Sequence, residues 1–157
     1  MHSLLFKLLE NPDFDEGVYW HRDRVGANEV VFYEGTQERD IYLILSGKVR
    51  IVGKVEIDEQ RRIKPGFGEL SQGDVFGELA LFDDEPRSAT VTAISDIELA
   101  VIDGVALLRF LDDHPEIGYP VIKELISTLV LRMRKANQKI FSLFAWGLKT
   151  HGIDEHL

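Results

Sequence analysis

The chain has 157 residues, 45% of them hydrophobic and 29% charged, with a net charge of -9. That is enough for one domain with its own core and reads as a soluble globular composition. The absence of cysteine excludes disulfides, thiolate metal sites, iron–sulfur clusters and a cysteine nucleophile. The acidity argues against nucleic acid as the main partner, since such affinity needs a basic face. No apolar run is long enough to span a membrane, and Met1–Lys7 lacks the pattern of a secretory signal, so a cytoplasmic protein is expected.

Residues 3–10 read as a short amphipathic helix opened by Ser3 and ended by Asn11-Pro12. The stretch from there to Asn28 has no clear period. Short strands follow. Val30–Tyr33 stops at Glu34-Gly35, and Ile41–Leu45 stops at Ser46-Gly47, which reads as a hairpin turn. Val49, Ile51, Val55 and Ile57 alternate in partial register with Arg50, Lys54 and Glu56. Turns are expected at Pro65-Gly66 and Gly73-Asp74, and two more strands at Thr90–Ser95 and Ile97–Ile102. Strands this short, broken this often, point to a sandwich or barrel.

From residue 104 the period becomes helical. Val105, Leu107, Leu108 and Leu111 suit a short helix closed near His114-Pro115. A long helix then runs to about Trp146, with Pro120 near its start and Gly147 as its stop. A four-three repeat runs along it: Ile122, Ile126, Leu129, Met133, Ala136, Ile140 and Leu143. Part of that seam covers the core. The remainder is expected to pair with a second copy, giving a homodimer through about residues 120–146. Leu148–Leu157 reads as a tail, so the domain is expected to span 1–147.

Ligand chemistry concentrates in residues 76–91. Arg87 offers two parallel donors in a planar fork, suited to an anion. Gly77 lets backbone approach where a side chain would clash. Glu78-Leu79-Ala80-Leu81 suits one helical turn with free N–H groups. Glu78 is wrong for an anion but right for a sugar hydroxyl, because a carboxylate only accepts. Ser88 adds a hydroxyl, and Ala89 leaves room. The bland alternative is an exposed ion pair of Arg87 with Glu78, or with Asp83, Asp84 or Glu85, worth little.

Phe76-Gly77-Glu78-Leu79-Ala80-Leu81, followed by Pro86-Arg87-Ser88-Ala89-Thr90-Val91, resembles the phosphate-binding cassette of the cyclic-nucleotide-binding domain family. That family includes the bacterial catabolite activator protein and the regulatory subunits of cAMP-dependent kinase. The resemblance extends over roughly residues 20–145. It implies a mainly β domain: a double-stranded β-helix (β-roll or jelly-roll-like barrel, about 25–103), then a short helix and a long C-terminal helix (about 104–146). It also implies that Arg87 takes the cyclic phosphate, that Glu78 takes the ribose 2′-hydroxyl, and that Gly77, Leu79, Ala80, Ser88 and Ala89 complete the cradle. On the base side, alignment with the family's long helix points to Arg132, Ala136 and Asn137. The implied ligand is cAMP, with cGMP left open by the Ser88 hydroxyl, and the implied role is a sensor, not an enzyme. No cofactor or metal is expected.

Arg132, Arg134, Lys135 and Lys139 make a basic run that reads as a solvated face. The residues after the long helix are too few for a helix-turn-helix, so no DNA-binding domain is expected within this chain. His151, Asp154, Glu155 and His156 read as solvated residues of the tail, not as a metal site. Two further readings stand beside the sensor: a non-binding interaction module of the same fold, and the sensor part of a truncated transcription regulator.

Overall fold

The computed structural model describes residues 3–151 except 54, 59, 60, 64 and 65, and describes the backbone alone for the rest of 54–67 and for His151. Its elements in chain order are α1 (Leu4–Leu9), β1 (Trp20–Val25), β2 (Val30–Phe32), β3 (Ile41–Ser46), β4 (Lys48–Val52), β5 (Val55–Asp58), β6 (Arg61–Ile63), β7 (Gly66–Ser71), β8 (Val75–Phe76), a 3-10 turn (Glu78–Leu81), β9 (Thr90–Ala93), β10 (Ile97–Ile102), α2 (Gly104–Asp113) and α3 (Pro115–His151). They fall into two compact units, one ending at Tyr119 and one beginning at Pro120.

In the first unit two four-stranded antiparallel sheets carry the fold, in the orders β1-β10-β3-β8 and β2-β9-β4-β7, and β5 and β6 form a separate hairpin. This is the expected β-roll with helices at its ends. The core lies between the sheets. Tyr42, Ile44, Phe76, Leu99 and Val101 come from one sheet, and Phe32, Val49, Val91 and Ala93 from the other. On β3 and β10 the opposite face is closed as well, since Ile41, Leu43, Ala100 and Ile102 are fully buried. Strands covered on both sides read as unbroken apolar runs, which is how Ile41–Ile44 and Leu99–Ile102 look in the sequence.

Ser46-Gly47 is not a hairpin turn. β3 pairs with β10 and β8, whereas β4 pairs with β7 and β9, so the chain changes sheets at Gly47. Gly47 does this at φ +91°, and a Cβ there would fall 2.7 Å from Ile97 Cγ2. Gly73-Asp74 turns as expected, with Gly73 N–H donating to Ile44 O at 2.9 Å and Ile44 N–H to Asp74 O at 3.0 Å. Gly66 opens β7; Pro65 and Lys54 lie outside the described residues. β1 arises where no period was legible. Its sequence, Trp-His-Arg-Asp-Arg-Val, buries only Trp20 fully, because its other residues decorate an outer strand paired to β10.

α1 begins at Ser3, whose hydroxyl accepts from Leu5 N–H at 3.1 Å. α2 begins at Asp103, whose carboxylate accepts from Ala106 N–H at 3.0 Å. Phe110 on α2 meets Phe14 edge-on at 5.0 Å, and Phe14 stacks on Tyr19 at 4.8 Å, tying α2 to the segment before β1. α3 starts earlier and ends later than the sequence suggests. It contains Pro120, and it passes through Gly147 to His151. Glycine costs about 1 kcal/mol in a helix, so it weakens a helix without stopping it when the following residues can continue. Leu148–His151, expected as tail, are therefore helical. The acid and histidine positions 154–156 lie outside the described residues.

Candidate ligand-binding site

β8 ends at Phe76, and the chain turns sharply at Gly77, φ +80°, into the 3-10 turn Glu78–Leu81. Glycine is required there twice over. The left-handed backbone penalises a side chain, and a Cβ would sit 2.8 Å from Arg87 Nη1 and 3.1 Å from Asp40 O. In the turn Glu78 and Ala80 are buried, and Leu79 is half exposed.

Arg87 lies just before β9. Its backbone is stitched to the loop between β2 and β3: Arg87 N–H donates to Thr36 O at 2.9 Å, and Gly35 N–H to Arg87 O at 2.8 Å. That loop then supplies partners for the side chain. Nη2 donates to Asp40 O at 2.6 Å, Nη1 donates to Gly77 O at 3.0 Å, and Glu38 Oε2 lies 3.5 Å from Nη2. The guanidinium carbon stands 4.4 Å from the centre of the Phe32 ring and 5.6 Å from that of Tyr42, within the range of cation–π attraction. Phe32, Tyr42 and Phe76 form an aromatic floor, with Tyr42 and Phe76 stacked at 5.0 Å and 3°.

The Arg87 side chain is only 4% exposed. A buried cation is costly unless its N–H groups are met. Two carbonyls and one carboxylate meet the Nη atoms, but Nε is buried with no acceptor among the described residues. An orphan N–H on a fixed cation fits an added anion, which would complete the set. Among the described residues, Arg87 forms no ion pair with Asp83, Asp84 or Glu85. Asp84 instead lies 3.6 Å from Arg39, and Gln37 donates to Asp84 O at 2.7 Å.

Ser88 is exposed and Ala89 half-buried, next to Arg87. The structure thus sets Gly77 against the Arg87 side chain, with Glu78, Leu79 and Ala80 following Gly77 in the turn and Ser88 and Ala89 following Arg87 along the chain. Arg132, Ala136 and Asn137 belong to α3 in the second unit, where Arg132 is half-buried and the other two are exposed.

Two participants had no sequence signal: Glu38 and Tyr42. Tyr42 OH donates to Glu38 Oε2 at 3.2 Å. Burial first, and then the Glu38 carboxylate, push the Tyr42 phenol well above its usual value, so it stays a donor at neutral pH. Asp40 shares the environment. Its carboxyl is raised above 3.8, first by burial and then by Glu38 and Asp103, with Arg87 and His21 pulling the other way. Asp40 also lines a hollow of about 180 Å³ with Tyr19, His21 and Asp103.

Two four-stranded sheets of this topology, with the Gly77 turn and Arg87 set against each other, define a β-roll of the cyclic-nucleotide-binding type. The cyclic nucleotide-binding domain model matches residues 22–114, more than half of the chain; the chain belongs to that family. It is 32% identical over 141 residues to a CRP-like cAMP-activated global transcriptional regulator of Mycobacterium tuberculosis, a match covering 90% of this chain and 54% of that protein. It is 33% identical over 133 residues to lysophospholipase NTE1 of Pyricularia oryzae, covering 85% of this chain and 8% of the enzyme. Among solved structures it is similar to a cyclic nucleotide-binding domain from Methylobacillus flagellatus, with a TM-score of 0.69 and 25% identity over 79% of this chain and 67% of that one. The chain therefore spans about half of its regulator relative and a small part of its enzyme relative.

Proposed function

We propose that this domain is a cyclic-nucleotide sensor whose ligand is cAMP. The observation that carries the reading is the buried Arg87 guanidinium with an unmet Nε–H beside the Gly77 turn. The ring phosphate meets Arg87 and the cradle of Gly77, Leu79, Ala80, Ser88 and Ala89. Glu78 accepts from the ribose 2′-hydroxyl. Arg132, Ala136 and Asn137 serve the base, Asn137 through its paired donor and acceptor. The cAMP assignment draws support from the mycobacterial regulator, which is cAMP-activated by name. The signal leaves through α3, the domain dimerises along the α3 seam, and it acts in the cytoplasm without catalysis of its own. No helix among the described residues is long and apolar enough to cross a membrane.

The test is calorimetric titration with cAMP and cGMP. One molecule of cAMP per chain is expected. Arg87→Lys keeps the charge but loses the fork, and should weaken binding by about tenfold or more. Asn137→Ala should alter the cAMP-to-cGMP ratio; an unaltered ratio removes Asn137 from the base site. If neither nucleotide binds, the non-binding interaction module is the better reading. A specific observation favours that module next: Phe141, Phe144 and Trp146 on α3 are all about two-thirds exposed.

A further inference from the structure

We infer that Glu38 is an internal competitor for Arg87, a carboxylate of the protein's own that holds the guanidinium until the nucleotide's phosphate displaces it. This rests on the reading that Arg87 receives the phosphate, and it adds a regulator of affinity within that site.

Three observations lead here. First, Glu38 is placed against the buried cation, with Oε2 3.5 Å from Nη2. Second, Glu38 does not dangle. The Tyr42 hydroxyl donates to the same Oε2 at 3.2 Å, and Tyr42 is itself locked in the aromatic floor by its stack on Phe76. Third, the two partners differ in exposure: the Arg87 side chain is 4% exposed and that of Glu38 is 36% exposed. The cation cannot leave, but the acid can swing to water.

The consequence is a competition. Nη1 and Nη2 are already engaged by the carbonyls of Gly77 and Asp40, so few N–H groups remain for a phosphodiester. Two anions on one guanidinium repel each other at short range in a poorly hydrated site. Binding must therefore either expel Glu38, breaking its contacts to Arg87 and Tyr42, or tolerate its charge. Either route lowers affinity below what Arg87 alone would give. It also couples ligand arrival to release of the loop between β2 and β3, which carries Glu38.

The test uses the full chain, cAMP as probe, calorimetry for affinity and thermal unfolding without ligand for stability. Glu38→Gln removes the charge and keeps the shape. It should tighten cAMP binding by about tenfold while the ligand-free protein melts at the same temperature or lower. Tyr42→Phe keeps the ring and frees Glu38. It should tighten binding by less, and should add nothing to Glu38→Gln. Mere structural damage would weaken binding and stability together, so opposite movements identify competition. If the wild type binds through Arg87 but Glu38→Gln binds equally or more weakly, Glu38 positions the arginine instead, and the inference is overturned while the cassette reading stands. If the wild type and Glu38→Gln both fail to bind cAMP and cGMP, the nucleotide reading and this inference fall together.

Discussion

Arg87 holds part of the fold together as well as offering a charge. Its two Nη atoms are donors to the part-buried carbonyls of Gly77 and Asp40, so truncation to alanine leaves two acceptors unmet, at a cost of up to about 1 kcal/mol each. Arg87→Ala should therefore lower both stability and binding, and a binding loss in that variant alone would not isolate the ligand contact. Arg87→Lys is the cleaner probe for that reason. Gly77→Ala approaches the same point from the backbone. A left-handed residue carrying a Cβ costs about 1–2 kcal/mol, and that Cβ would also press on Arg87 Nη1. Urea unfolding should show a loss of that size together with weaker cAMP binding; an unchanged midpoint would mean that the turn has another geometry. Asp40 gives a pH test. Its folded-state pKa is raised by burial, Glu38 and Asp103, so the native state binds more protons than the unfolded state just above pH 3.8. Stability from this group then falls as pH rises through that window and stays lower above it. Asp40→Asn keeps the carbonyl that Arg87 uses. It should raise the melting temperature at pH 7 and make no difference at pH 3; equal values at both pH values would refute the shift.

At the scale of elements, most of the roll was legible and the failures are instructive. β3 and β10 announced themselves because both faces are buried and the runs are apolar. β1 did not, because an outer strand with one fully buried residue has no alternation to read. Ser46-Gly47 looked like a hairpin because a sequence records that a chain turns, not which sheet it enters next. The cassette was readable as a contiguous string. Glu38 and Tyr42 were not, since they lie more than forty residues upstream and reach Arg87 only when the loop before β3 folds over it. The end of α3 was misjudged because glycine lowers helix propensity without forbidding the helix. That last point is testable. A Cβ at Gly147 meets nothing within 4 Å, so Gly147→Ala should gain about 0.5–1 kcal/mol of local helix stability. Slower amide exchange across 147–151 would confirm it, and unchanged exchange would mean that the last turn is not helical in solution.

On the scale of the whole molecule, α3 decides whether the protein acts alone. It spans 37 residues, about 55 Å at 1.5 Å per residue. Along the four-three seam, Ile126 is 50% exposed, Met133 59%, Ile140 61% and Leu143 67%. Monomers rarely leave so long an apolar stripe in water, and a second copy offers the identical stripe. Charge opposes the pairing. Each chain carries -9, so two copies repel one another. That repulsion is long-ranged at low salt and shrinks with the Debye length, about 10 Å at 0.1 M and 3 Å at 1 M, whereas apolar burial is not weakened by salt. Sedimentation equilibrium should accordingly find twice the mass of one chain, with the dimer tightening as salt rises from 0.05 to about 0.5 M. The double variant Ile140→Glu, Leu143→Glu places four carboxylates in the seam and should give monomers at every salt concentration tested. A wild-type monomer, or a dimer that loosens with salt, would mean that ion pairs or some other surface, and not the α3 stripe, governs assembly.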